Sequence, residues 1–236
     1  MATSAIERKS PQLVMGVQAG VSIAIGYMPI ALTFGLLAKT TVLTVGETFL
    51  MSLLVFAGAS QYIALSLIAA GTGAFEIVLT TFIVNIRHFL MSASLNEKVE
   101  TAPKFLKAIY AFGITDETFS VAAIKEGKLT TGFLFGLVTV SYGSWVVFSG
   151  VGHVIGSSLP ATLQESMGIA LYAMFVGLLV PSIKKHQKVL YLAALAGVLN
   201  FIFVIFMAKG WAIVAATLIS SVVVELIVMK KGEQRG

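Results

Sequence analysis

The chain has 236 residues, of which 57% are hydrophobic and only 11% charged, with no cysteine and a formal net charge of +5. Ordinary soluble domains carry about 25% charged residues, and a domain of this size has too little interior to hide so much apolar surface. A mean hydropathy of +0.94 therefore points to an integral membrane protein. The positive charge sits in short lysine groups between apolar runs, with no interleaved aromatic face, which argues against a nucleic-acid partner and for a cytoplasmic-loop bias. Without cysteine there are neither disulfides nor thiolate metal sites, and no metal or cofactor is expected.

A membrane-crossing helix needs about 20 predominantly apolar residues. In chain order the runs that qualify are Leu13–Lys39, Glu47–Ala70, Phe75–Leu95, Thr131–Gly150, Ser166–Ser182, Val189–Met207 and Trp211–Met229, with a weaker Phe105–Ile124 that contains Thr115, Asp116 and Glu117. The polar lead at residues 1–12 shows no cleavage site, so the first run is expected to stay as a helix. Connections such as residues 71–73 and 208–210 are short, so consecutive spans are neighbours. The expected fold is all-α: one membrane transporter domain over residues 1–236, a polytopic helix bundle of seven to eight spans, some broken or re-entrant.

Three local signals bear on breaks and orientation. The motif GYMP at 26–29 joins the flexible Gly26 to Pro29, whose missing N–H leaves a carbonyl one turn earlier unpaired, so a tilt or break is expected there. FAGASQ at 56–61 puts Gly58, Ser60 and Gln61 in mid-span, a composition suited to close helix approach or to an unwound turn. The lysines at 125/128, 184/185/188 and 230/231, with Arg235, agree on one cytoplasmic side if three spans lie between the first and last of these sets, and with them the C-terminus. Those at 98, 104 and 107 join them only if Phe105–Ile124 does not cross, whereas Arg8 and Lys9 favour an even span count.

The third run carries the chemistry. Thr81, Asn85, His88 and Ser92 fall on one helical stripe, with Arg87 about 100° from His88. A charged residue at that depth costs roughly 2.5–3.5 kcal/mol on insertion scales, and such residues mark substrate or ion pathways. Arg87 needs an anionic partner, and the candidates are Asp116, Glu117 and a substrate carboxylate. A zwitterionic substrate would take its carboxylate to Arg87 or to a helix start near Gly58–Ser60, and its ammonium to Asp116 or Glu117. A proton carrier is expected among His88, Asp116 and Glu117. No GxxxxGK[ST] motif is present, so an ion gradient rather than ATP is the expected energy source.

The blocks GYMP at 26–29 with FG at 34–35, FAGASQ at 56–61, NIRH at 85–88 with SASL at 92–95, and TDE at 115–117 together resemble the AzlC family of branched-chain amino acid permeases. In the C-terminal half the resemblance rests on hydropathy and on LYAMFVGLLVPSIKK at 171–185. It implies a large subunit in a bacterial cytoplasmic membrane that exports branched-chain amino acids with a small AzlD-type membrane partner. It also implies that Gly58, Gln61, Asn85, Arg87, His88, Asp116 and Glu117 match the family's polar motif positions. Two other classes stay open on the residues alone: a non-transporting assembly subunit, in which the charges are interhelical glue, and an intramembrane hydrolase built on Ser60 and His88, for which no nucleophile elbow is present.

Overall fold

The structure is a computed structural model that describes residues 3–41, 43–155 and 186–233, with part of 158–184. The expected span Ser166–Ser182 and the motif at 171–185 lie largely outside the described residues, as does Arg235. The described helices are α1 (Thr3–Thr40), α2 (Val45–Leu54), α3 (Gly58–Ala69), α4 (Ala74–Asn96), α5 (Lys104–Phe112), α6 (Asp116–Ile124), α7 (Thr131–Ile155), α8 (Gln187–Phe206) and α9 (Lys209–Glu233). Among the described residues five stretches are long and apolar enough to cross a bilayer: Gln12–Thr40, Ala74–Asn96, Thr131–Ile155, Gln187–Phe206 and Lys209–Val228. The chain is an all-helical membrane protein. It forms two compact units, Met1–Leu65 with Asn85–Gly168, and Ser66–Val84 with Ile169–Gly236.

The first unit is built on α1 and α7. A Cβ placed on Gly16 or Gly136 would strike the backbone of the opposite helix near its start, and one on Gly35 or Gly152 would do so near its end. Small residues thus let the two backbones touch along their length. Ser144 Oγ donates to the Ala24 carbonyl at 2.8 Å midway. Contacts advance in the same direction on both helices, from Gly16 beside Phe133 to Gly35 beside His153, so α1 and α7 run parallel.

Two half-length hairpins pack on this pair from opposite ends. α2 begins under a capping box, Thr44 N donating to Glu47 and Glu47 N to Thr44. Thr48 Oγ1 meets His153 Nδ1 at 2.9 Å near the end of α7, and one and a half turns later the Leu53 carbonyl meets the Tyr142 hydroxyl at 2.8 Å, near the middle of α7. The chain leaves the helix at 55–57, restarts as α3, and returns: Tyr62 donates to the Ile30 carbonyl at 2.7 Å and stacks edge-on against Phe34. The expected run Glu47–Ala70 is therefore two helices of 10 and 12 residues, about 15 and 18 Å long, rather than one continuous span.

α5 and α6 mirror this from the other end. Lys98 Nζ donates to the carbonyls of Ala123 and Lys125, Glu100 N to the Leu129 carbonyl at 2.9 Å, and Glu100 caps the first N–H of α7 at Thr131 at 2.8 Å. Both ends of the α5–α6 hairpin thus lie where α7 begins, while its tip at Gly113 reaches Val138 and Phe112 reaches Tyr142. Phe105–Ile124 is two nine-residue helices that go in and come back, which places Lys98, Lys104, Lys107, Lys125 and Lys128 at the end where α1 also starts. Within this unit Lys98, Lys104 and Lys107 therefore lie at the same end as Lys125 and Lys128, where a full crossing of Phe105–Ile124 would have separated them.

The break expected at Gly26 and Pro29 is absent: α1 is helical throughout its 38 residues. Three carbonyls near the proline accept side-chain donors, Ser144 at Ala24, Tyr62 at Ile30 and Thr33 at Pro29 itself (2.9 Å), and close contacts with α7 at Gly20 and Gly35 lie on either side of it.

In the second unit α8 and α9 form an antiparallel hairpin tied by an exposed Lys188–Glu225 ion pair. Glu76 accepts from Trp211 N at 3.3 Å, placing a carboxylate at the start of α9 where the helix dipole favours one.

The hairpin arrangement is checked by labelling, because the chain has no native cysteine. In sealed, oriented vesicles, single Lys104→Cys and Glu126→Cys variants should react with an impermeant maleimide from one face and Val45→Cys from the other. Labelling of positions 104 and 126 from opposite faces would mean that α5–α6 crosses.

Candidate functional site

The two hairpin tips meet at Tyr27 of α1. Its ring stands edge-on to Phe56 at 6.0 Å and to Trp145 at 5.3 Å, and Phe56 stands edge-on to Tyr142 at 5.2 Å. The Tyr27 hydroxyl donates to Glu117 Oε2 at 2.5 Å and, with its hydrogen so committed, accepts from Thr115 Oγ1 at 2.7 Å. One aromatic side chain thus touches the α2–α3 break and the first turn of α6. That turn is fixed by reciprocal caps, Thr115 N donating to Thr118 Oγ1 and Thr118 N to Thr115 Oγ1, while Thr118 also donates to the Gly113 carbonyl.

At the break, Gly58 lies under Trp145: a Cβ there would sit 2.8 Å from Cη2 of the indole. The indole N–H donates to Gln61 Oε1 at 2.7 Å, and Gln61 Nε2 donates to Ser52 Oγ at 3.3 Å, so the fully buried Gln61 clamps α2, α3 and α7 together. Ser60 Oγ donates to Asn85 Oδ1 at 2.5 Å, which ties the start of α3 to the middle of α4. The backbone N–H groups of Gly58, Ala59 and Ser60 open α3 and have no intrahelical acceptor, giving this turn positive character.

On α4, Arg87 Nη1 lies 2.6 Å from Asp116 Oδ2. Arg87 Nε and His88 Nε2 are buried without a hydrogen-bond partner. The adjacent acids divide: Asp116 takes the guanidinium and Glu117 takes the phenol. The expected polar stripe is only partly used for contacts. Asn85 reaches Ser60, whereas Thr81 turns back on its own backbone at Ile77, 2.8 Å away. Phe82 and Phe89, at i−3 and i+4 from Asn85 and so flanking the stripe on α4, are exposed.

Six of the eight expected site residues fall into three groups. Ser60 joins Asn85, Arg87 joins Asp116, and Gly58 with Gln61 is held by Trp145. Glu117 goes to Tyr27, and His88 keeps one ring nitrogen unbonded. Ser60 is bonded to Asn85 and not to His88, so no serine–histidine dyad is formed. Tyr27, Ser52, Tyr142 and Trp145 were not singled out from the sequence. The available signal was SYGSW at 141–145, which sets a tryptophan among small and polar residues in mid-span.

The Arg87–Asp116 pair should couple the two residues energetically. Breaking a fully buried pair costs about 3–5 kcal/mol. Here the side chains are 37% and 26% exposed, which screens the pair and lowers that figure. Arg87→Gln and Asp116→Asn should each lower the melting temperature of the detergent-purified protein, and the double variant should lose less than the sum. Strict additivity would show that the pair does not act as a unit.

No solved structure matches this chain. The family model described as AzlC protein matches residues 22–159. The inner membrane protein YgaZ of Escherichia coli (strain K12) is 32% identical over 78% of this chain and 78% of its own length. An uncharacterized membrane protein of Archaeoglobus fulgidus is 32% identical over 76% of this chain and 80% of its own. The branched-chain amino acid transport protein AzlC of Bacillus subtilis (strain 168) is 23% identical over 73% and 67%. The matched span holds every residue of the convergence from Tyr27 to Trp145, and it covers more than half of the sequence: the chain belongs to the AzlC family.

Proposed function

We propose that the chain is a secondary transporter that exports branched-chain amino acids, driven by a proton gradient and working with a small AzlD-type membrane subunit in a bacterial cytoplasmic membrane. The observation that carries this reading is the meeting of an interrupted helix with charged and unbonded polar groups at the middle of the helix pair α1–α7. Helices interrupted within the membrane present half-helix ends to substrates in many secondary transporters. The Bacillus subtilis relative is named for branched-chain amino acid transport and the Escherichia coli relative for the inner membrane, which supports the substrate class and the location.

On this reading the α-carboxylate of the substrate meets the opening turn of α3 at Gly58–Ser60 and the unbonded Nε–H of Arg87, while Phe56, Trp145 and Tyr142 supply an apolar wall. Proton carriers are sought among His88, Asp116 and Glu117. The lysine-rich end, where α1 starts and the α5–α6 hairpin enters, is assigned to the cytoplasm by the positive-inside rule, and the C-terminus with it.

Proteoliposomes test the reading directly. The full chain, with and without a small partner, should accumulate leucine, valine or isoleucine against an imposed pH gradient at clamped membrane potential. Gly58→Leu should insert normally yet lose flux, because its side chain must occupy the space of Trp145. His88→Gln should lower gradient-driven accumulation if it carries the proton. No branched-chain flux under any gradient would sink the reading.

A further inference from the structure

The assignment of ammonium recognition follows from how the neighbouring acids are spent, and it rests on the amino-acid substrate proposed above. Asp116 already has a cation, the Arg87 guanidinium at 2.6 Å. Glu117 has no ion-pair partner among the described residues. It is half-buried at the tip of a hairpin and receives one short hydrogen bond, from Tyr27. Tyr27 on α1 faces it, Asp116 is its neighbour on the same helix, and Arg87 on α4 is held by that Asp116.

Position on α6 alone explains neither acid. Both lie in the first turn, where the dipole favours a carboxylate, yet each is engaged by a different helix. A phenol is a neutral donor and leaves the full negative charge of Glu117 in place. A carboxylate in such surroundings is suited to a cation that arrives with the substrate. The unbonded Arg87 Nε–H on the facing helix is a donor of the opposite kind, suited to a carboxylate.

We propose that Glu117 is the residue that reads the primary ammonium of the substrate, that Tyr27 holds its carboxylate in place between substrates, and that Asp116 takes no direct part. Binding exchanges the Tyr27 O–H donor for an N–H donor of the ammonium, so no covalent bond is made and the pair of charges cancels. Selectivity for an α-amino acid over the same molecule lacking its amino group then resides in this carboxylate. A hydrogen bond to a charged group is worth about 1.5–3 kcal/mol, which corresponds to roughly 10- to 100-fold in affinity.

The test compares leucine with 4-methylpentanoate, its analogue without the amino group, by the concentration of each that half-inhibits labelled leucine counterflow in proteoliposomes of the full chain. In the wild type, leucine should act at far lower concentration. Glu117→Gln should shrink that ratio about tenfold or more by weakening leucine, with 4-methylpentanoate changed little. Should residual flux of Glu117→Gln be too low to inhibit, the same ratio is read from ligand-induced thermal shifts of the purified variant. Glu117→Asp, which keeps the charge but withdraws it by one methylene, should fall between. A purely structural role would change stability or maximal flux and leave the ratio alone. A ratio unchanged in both variants, with the wild type still carrying leucine, overturns this assignment and leaves the transport reading intact. A wild type that carries no leucine either alone or with the small partner overturns the transport reading itself.

Discussion

A helix that stops inside an apolar protein leaves carbonyls and N–H groups that neither lipid nor distant water can satisfy, and that demand organises the first unit. At the end of α2 the Leu53 carbonyl is taken by the Tyr142 hydroxyl, and the chain is carried across the gap by Gln61, whose amide bonds Ser52 on one side and the Trp145 indole on the other. Both Tyr142 and Trp145 come from α7. The break is therefore a feature of the α7 surface as much as of FAGASQ, and the close packing of α1 on α7 keeps that surface in register. The same logic appears at the other tip, where the Gly113 carbonyl and the first turn of α6 are satisfied by Thr115 and Thr118 before Tyr27 is added.

Hairpins entering from opposite ends also divide the charges. Each brings a helix start to mid-depth, α3 at Gly58 and α6 at Asp116, and a helix start carries partial positive charge. At α6 that charge is answered by two acids in the first turn; at α3 no acid stands in the first turn. One tip is consequently acidic and the other is electropositive, a polarity matched to a zwitterion under the proposed function. The aromatic side chains between them, Tyr27, Phe56 and Trp145, keep the two tips apart without introducing further charge.

How far the sequence disclosed this depends on the kind of signal. Membrane insertion was legible because hydropathy sums over long runs and tolerates local error. At 56–61 the sequence left two readings open, close helix approach or an unwound turn, and the chain leaves the helix at 55–57, just before Gly58 opens α3. The pairing of Arg87 with an acid of TDE followed from the cost of leaving a guanidinium alone, though which acid did not, since that choice is made by Tyr27, some 90 residues away. Gln61 was marked as polar and placed on the path, yet its partner Trp145 lies 84 residues further on and carries no periodic signature.

Pro29 and Gly58 show why local propensity alone misplaced one of two breaks. Proline removes a single donor and tends to kink a helix, but on α1 the neighbouring carbonyls are met by Ser144, Tyr62 and Thr33, and the glycine-lined contact with α7 extends on both sides of it. The helical state is thus supported from outside at the very place where it is weak from within. At Gly58 the neighbour acts the other way, because Trp145 occupies the space a side chain would need and its indole N–H fixes Gln61 across the gap. In both places α7 is a partner: its glycines and Ser144 lie along the helix that continues, and its Tyr142 and Trp145 answer the polar groups of the one that stops.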